Sequence, residues 1–166
     1  MALNEKEKTT IKDLQTQEQV CVQKYKKYAA DAKDPVLKDL FSDLEKNEQE
    51  HLDTLTQILS GKVPECDCND SKGKDYNPKA TYDVMSNSED KKCDAFLATD
   101  SIGSEKMVSG EYNSNVFVFA DTAIRKILVD MMHDNFNERV RSELQVPSGI
   151  HAVYKYRLVF TPLIST

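Results

Sequence analysis

Apolar and semi-polar residues recur along the first part of the chain at steps of three and four, at Ile11, Leu14, Cys21, Tyr25, Tyr28 and Ala32, with one step of seven between Leu14 and Cys21. This is the seam of an amphipathic helix with one position missing. The stretch holds neither Gly nor Pro, so a helix is expected over about 4–33. Asp34 before Pro35 supplies an N-cap and the one helical position where Pro loses nothing, so a second helix starts there. Its stripe is Leu37, Phe41, Leu44, Leu55 and Ile58, and it closes near Ser60-Gly61, spanning about 35–60. So short a turn predicts an antiparallel pair.

Residues 61–89 contain two Gly, two Pro and many Asn, Asp and Ser without a sustained period, which reads as a long connection. Periodicity returns through Ala98, Ile102, Val108, Tyr112 and Phe119, predicting a helix over 90–119. Asp121 is a second cap, opening a fourth helix over 122–145 with Ile124, Leu128, Met131 and Met132. The expected fold is all-α: one domain over 1–145, a four-helix bundle of two antiparallel hairpins whose long link can run from end to end. The tail, 146–166, has no acidic residue and no helical period, and is expected to be non-helical.

An offset of 87 residues superimposes the hairpins: Glu18 on Glu105, Tyr25 on Tyr112, Asp34 on Asp121, Leu37 on Ile124, Phe41 on Leu128 and Leu44 on Met131. A repeated helical hairpin follows. The residues that interrupt its seam carry the chemistry. Glu18 fills the gap between Leu14 and Cys21, and Glu48 and His51 fall between Leu44 and Leu55. A buried unpaired carboxylate costs several kcal/mol or more, so such groups need a cation, a partner or a metal. Glu48-x-x-His51 sets a carboxylate and an imidazole one turn apart on one face, the spacing with which a helix grips a metal from two ligands. Glu105 is the repeat counterpart of Glu18.

Composition narrows the function classes. The 166 residues carry 22 basic and 28 acidic side chains, a net charge of −6, with 39% hydrophobic residues. That is too apolar for a disordered chain and too acidic for one that tracks nucleic-acid phosphates. No apolar run approaches the roughly 20 residues of a membrane span, and the N-terminus shows no apolar signal core, so synthesis in the cytoplasm is expected.

With Glu18 and Tyr25, Glu48-x-x-His51, and Glu105 and Tyr112 in register, residues 5–145 resemble the ferritin-like di-iron carboxylate superfamily. There, a Glu from each of two helices and a Glu-x-x-His from each of the other two hold a metal pair. The resemblance implies a two-metal site of iron or manganese, with Tyr25 and Tyr112 orienting the Glu ligands or simply filling the core. The chain departs from the pattern on the fourth helix, where Asn135 and Glu138 stand in place of Glu and His. Asn135 offers a carbonyl oxygen and Glu138 a carboxylate one turn later, so the implied ligand set is Glu18, Glu48, His51, Glu105, Asn135 and Glu138. Ferritins are similar in having an amide in that place. Asp130-x-x-His133 is a competing pair, about half a turn out of phase with Ile124, Leu128 and Met131.

The four cysteines complete the inventory. Cys66-x-Cys68 is not the paired C-x-x-C of a zinc or rubredoxin knuckle, so rubrerythrins are matched in the bundle alone. Cys21 reads as a small buried hydrophobe. Cys66, Cys68 and Cys93 are either free thiols or a disulfide or cross-link between themselves or with another chain.

Within the superfamily, DLQTQEQVCVQKY, DPVLKDLFSDLEKNEQEH, AFLATDSIGSEKMVSGEY and DTAIRKILVDMM most resemble the spore coat protein F-like group. That implies a coat-associated structural or interaction protein with a partly retained metal site, deposited in the spore coat. Its partners would be itself or other coat proteins, with no nucleic acid and no membrane. The alternative is a non-haem di-metal oxidoreductase or peroxidase of rubrerythrin or ferritin type.

Overall fold

A computed structural model describes residues 3–65, 81–83 and 85–145. Four α-helices form among them: α1 (Glu5–Asp31), α2 (Pro35–Leu59), α3 (Glu89–Asn115) and α4 (Thr122–Gln145). Each begins where short polar side chains relieve the unsatisfied N–H groups of a first turn. Asn4 and Glu7 form a reciprocal capping box on α1, with Glu7 N donating to Asn4 Oδ1 at 2.9 Å and Asn4 N to Glu7 Oε2 at 2.8 Å. Asp34 accepts from Val36 N on α2, Ser88 from Lys91 N on α3, and Asp121 from Ala123 N on α4. Gly61, at φ 87°, ends α2 in a left-handed turn: its N–H reaches Ile58 O while Lys62 N reaches Gln57 O.

The helices run up, down, down and up. Gln15 meets Thr56 and Glu18 meets His51, so α1 and α2 are antiparallel. Tyr25 bonds Glu105 and Tyr112 bonds Glu18, which sets α3 antiparallel to α1 as well. His51 lies near Asp134 and Asp43 near Arg141, so α4 runs against α2. Because α2 and α3 point the same way, the connection between Leu59 and Glu89 joins opposite ends of the bundle. Its last part docks on α3, where Tyr82 OH donates to Asp94 Oδ2 at 2.6 Å and Lys91 Nζ to the carbonyl of Asp83 at 2.9 Å.

The core is the expected seam in both halves. Ile11, Tyr25, Phe41, Leu44, Leu55 and Ile58 of the first hairpin, and Ala98, Val108, Tyr112, Ile124 and Leu128 of the second, have no exposed side chain. Tyr25 stacks on Phe41 with ring centroids 6.0 Å apart.

Two boundaries differ from the sequence pattern by more than one residue. Helix α1 stops at Asp31 rather than residue 33, because the N–H groups of Lys33 and Asp34 turn away to the carboxylate of Asp94, each at 2.8 Å. Helix α3 ends at Asn115 rather than residue 119. The poor helix formers Asn113, Ser114 and Asn115 give way to a 3₁₀ turn, Val116–Val118, that buries Val116 and Phe119 while Phe117 is exposed. After it, Ala120 N donates to Glu7 Oε1 at 3.0 Å.

These contacts form a reciprocal latch. Glu7 of α1 caps the turn of the second hairpin, and Asp94 of α3, its counterpart in the repeat, caps the turn of the first. The expected tail, 146–166, lies outside the described residues.

Candidate metal centre

Three fully buried carboxylates occupy the middle of the bundle: Glu18 from α1, Glu48 from α2 and Glu105 from α3. They are buried because each replaces an apolar residue on the core-facing stripe of its helix. His51, 5% exposed, stands one turn after Glu48, with its Nδ1 3.2 Å from Glu48 Oε2 and 3.8 Å from Glu18 Oε1. On the opposite side of the ring, Nε2 faces Asp134 Oδ2 at 3.4 Å. Asp134 Oδ2 stands to accept a proton on Nε2, and Glu48 Oε2 one on Nδ1.

The tyrosines bond across the bundle rather than along their own helices. Tyr25 OH donates to Glu105 Oε1, and Tyr112 OH donates to Glu18 Oε1. Seven residues separate each Glu from the Tyr on its own helix, about 10 Å of rise and too far for contact. The antiparallel partner makes up the distance. Each carboxylate is thereby fixed through one oxygen, and Glu18 Oε2 remains buried without a hydrogen bond.

On α4, Asn135 takes the place predicted for it and is fully buried. Its Nδ2 donates to the carbonyl of Met131 at 2.7 Å. A carbonyl can only accept, so this bond sets the amide orientation and leaves Asn135 Oδ1, the ligand-capable atom, buried without a hydrogen bond. Position 138 belongs to α4, but the side chain of Glu138 lies outside the described residues. The competing pair does not enter the centre: His133 is exposed and Asp130 half-buried, because the core-facing stripe of α4 is Ile124, Ile127, Leu128, Met131 and Asn135.

Two residues at the centre were not expected there. Asp134 sits one residue off the seam, so periodicity gave no signal for it beyond its adjacency to Asn135. Cys21, read from the sequence as packing, is 3% exposed, and its Sγ lies within 4.8 Å of the nearest ligand atoms of Glu18 and Glu48. The only available signal was its place one turn after Glu18 on the same seam. Cys93 is an exposed free thiol, so it forms no disulfide here, and Cys66 and Cys68 lie outside the described residues.

Burial and crowding of negative charge dominate the electrostatics. Burial, then the neighbouring Glu48, holds the Glu18 carboxyl well above its ordinary range. Burial alone would lower His51, but its bonds to Asp134 and Glu48 and the charge of Glu18 outweigh this and raise it well above its ordinary value. Burial and Glu18 push the Tyr112 phenol up, and burial with Glu48, Glu105 and Glu18 pushes the Cys21 thiol up. All four shifts favour the bound proton. A metal would have to displace these protons, and the buried Glu18, Cys21 and Glu48 cluster has the donors and spacing to hold one. Comparison with known proteins finds no matching family model, no similar curated protein and no similar solved structure.

Proposed function

We propose that this chain is a ferritin-like bundle whose interior centre binds a transition metal, iron or manganese, through Glu18, Glu48, His51 and Glu105, with Asn135 contributing its carbonyl oxygen. The observation that carries the reading is Glu18: fully buried, with its Oε1 bonded to Tyr112 and 3.8 Å from His51 Nδ1, and its Oε2 buried without a hydrogen bond. A buried carboxyl oxygen without a partner carries a desolvation cost, which a proton or a cation relieves. The single long crossover between two hairpins of this topology supports the ferritin-like assignment.

The role we infer is that of a structural or interaction protein associated with a spore coat, made in the cytoplasm and assembling with itself or with other coat proteins. Its metal centre is retained on the first hairpin and altered on the second. The four resembling segments support the coat assignment, and the asymmetry at position 135 supports a centre kept for binding rather than turnover.

The alternative, a non-haem di-metal oxidoreductase, draws support from the tyrosine bonds, which hold a carboxylate from each hairpin in fixed orientation. When bound, a metal pair would supply Lewis acidity and electrons for reaction with dioxygen or peroxide. The chain's own residues would orient the carboxylates through Tyr25 and Tyr112 and hold the Nε2 proton of His51 through Asp134.

Metal content after purification without chelator, compared with Glu48→Ala/His51→Ala, tests the binding reading. Native protein should carry iron or manganese that the double variant lacks. Equal content in the two would sink it. Turnover of peroxide by the loaded native protein would move the conclusion to the alternative.

A further inference from the structure

The ligand set proposed above leaves out the thiol of Cys21, although it lies in the buried cluster with Glu18 and Glu48. We propose that Cys21 is a metal ligand, making the centre a mixed carboxylate, imidazole and thiolate site that selects Fe²⁺, Co²⁺ or Zn²⁺ over Mn²⁺. The inference rests on the metal-binding reading and deepens it.

Three observations carry it. Cys21 Sγ and one ligand oxygen each of Glu18 and Glu48 lie within 4.8 Å of one another, all three residues buried. A tetrahedral ion with sulfur at about 2.3 Å and oxygen at about 2.1 Å holds S and O roughly 3.6 Å apart, so side-chain rotations of about an ångström close the set. Independently, Glu18, a member of that cluster, is fully buried and its Oε2 has no hydrogen bond. Finally, the repeat supplies an internal control: the position equivalent to Cys21 is Val108, fully buried and apolar. Packing at this level of the bundle is satisfied by a valine, and the first hairpin carries sulfur beside the complete Glu-x-x-His half of the centre.

The chemistry is a ligand exchange without electron transfer. The S–H bond breaks, its proton leaves to solvent, and a sulfur–metal bond forms. Thiolate is a soft donor, which favours zinc, cobalt and ferrous iron, whereas an oxygen-only set suits manganese.

Cobalt is the probe. Full-length protein, stripped of metal and kept reduced and anaerobic, is titrated with Co²⁺ while its spectrum is recorded. The native protein and a Cys66→Ser/Cys68→Ser/Cys93→Ser variant should both develop a near-ultraviolet thiolate-to-cobalt charge-transfer band. Cys21→Val, which copies Val108, should bind Co²⁺ with its visible ligand-field bands but without that band, and its preference for Zn²⁺ over Mn²⁺ in competition should fall. Cys21→Ser, nearly isosteric, provides the same measurement should the valine variant not fold. Co²⁺ bound by native protein without the charge-transfer band overturns the inference and leaves the metal-binding reading intact. A band that survives in Cys21→Val or Cys21→Ser and vanishes in the triple variant assigns the thiolate elsewhere and also overturns it. Failure of native protein to bind Co²⁺ at all overturns both.

Discussion

Facing the same interior, the first hairpin presents Glu18, Cys21, Glu48 and His51, while the second presents Glu105, Val108 and Asn135 at the equivalent places. Around these residues the two halves agree closely. Both second helices start at an Asp cap, and both tyrosines donate to the carboxylate of the opposite hairpin. Glu7 and Asp94 reciprocally cap the facing turns. The scaffold therefore keeps its two-fold character while the donor set does not. Caps, tyrosine bonds and the apolar seam hold the backbone, and the interior positions can change chemistry without disturbing it.

The largest expected effect comes from removing that difference. Asn135→Glu combined with Glu138→His gives α4 the Glu-x-x-His of α2 and should raise the number of metal ions bound per chain, measured by elemental analysis of protein loaded with Fe²⁺ under anaerobic conditions. An unchanged stoichiometry would show that the asymmetry lies in the backbone and not in two side chains.

The latch is unequal in a different way. Asp94 accepts from Lys33 N, Asp34 N and Tyr82 OH, whereas Glu7 accepts Ala120 N in addition to its own capping contact. Asp94→Ala should cost about 3 kcal/mol and Glu7→Ala about half that, at roughly 1–3 kcal/mol per charge-assisted bond or orphaned donor. Urea denaturation of chelated protein measures both. Equal costs would mean that the two turns are held by packing alone.

The pH dependence sharpens what the first hairpin contributes. Glu18 is raised from 4.5 and His51 from 6.5 in the folded chain, so each contributes most to stability while protonated. The metal-free protein should therefore lose stability as pH rises through the raised values, starting above about 4.5 for Glu18 and above about 6.5 for His51. Metal competes with the same protons, so loaded protein should not show this decline. Glu18→Gln should flatten the Glu18 part of the dependence in chelated protein and weaken metal binding. Urea midpoints across pH 5–8, with and without chelator, decide it; a metal-free protein most stable at pH 8 would contradict the assignment.

The smallest effects compare the crossed tyrosines. Tyr25→Phe and Tyr112→Phe each remove one hydrogen bond to a buried carboxylate and should each destabilise the chain by about 1–2 kcal/mol by chemical denaturation. A clear difference between them would locate the more firmly held carboxylate.

Much of this was legible along the chain because helices are local. Caps at Asp34 and Asp121, the Gly61 stop and the 3–4 spacing of apolar residues depend on neighbours within a turn or two. Glu18, Glu48, His51, Glu105 and Asn135 could be located in the interior for the same reason: a polar residue on an apolar stripe is carried inward with it. Less legible were the end of α1, where the distant carboxylate of Asp94 draws off the N–H groups of Lys33 and Asp34, and the end of α3, where the chain turns into a 3₁₀ segment that packs Val116 into the core.

The sequence by itself determined the four amphipathic segments, the repeat that pairs them and the acids that break the seam, since each is a matter of spacing on one helix. Only the tertiary structure decided which helix each side chain would meet. The antiparallel register of α1 and α3 carries Tyr25 to Glu105 and Tyr112 to Glu18, and the register of α2 and α4 brings Asp134 behind His51. Packing of α1 on α2 places the sulfur of Cys21 beside Glu48. Those relations depend on distances between residues 27 to 94 positions apart, set by how two helix surfaces interlock and not by the order of residues on either one.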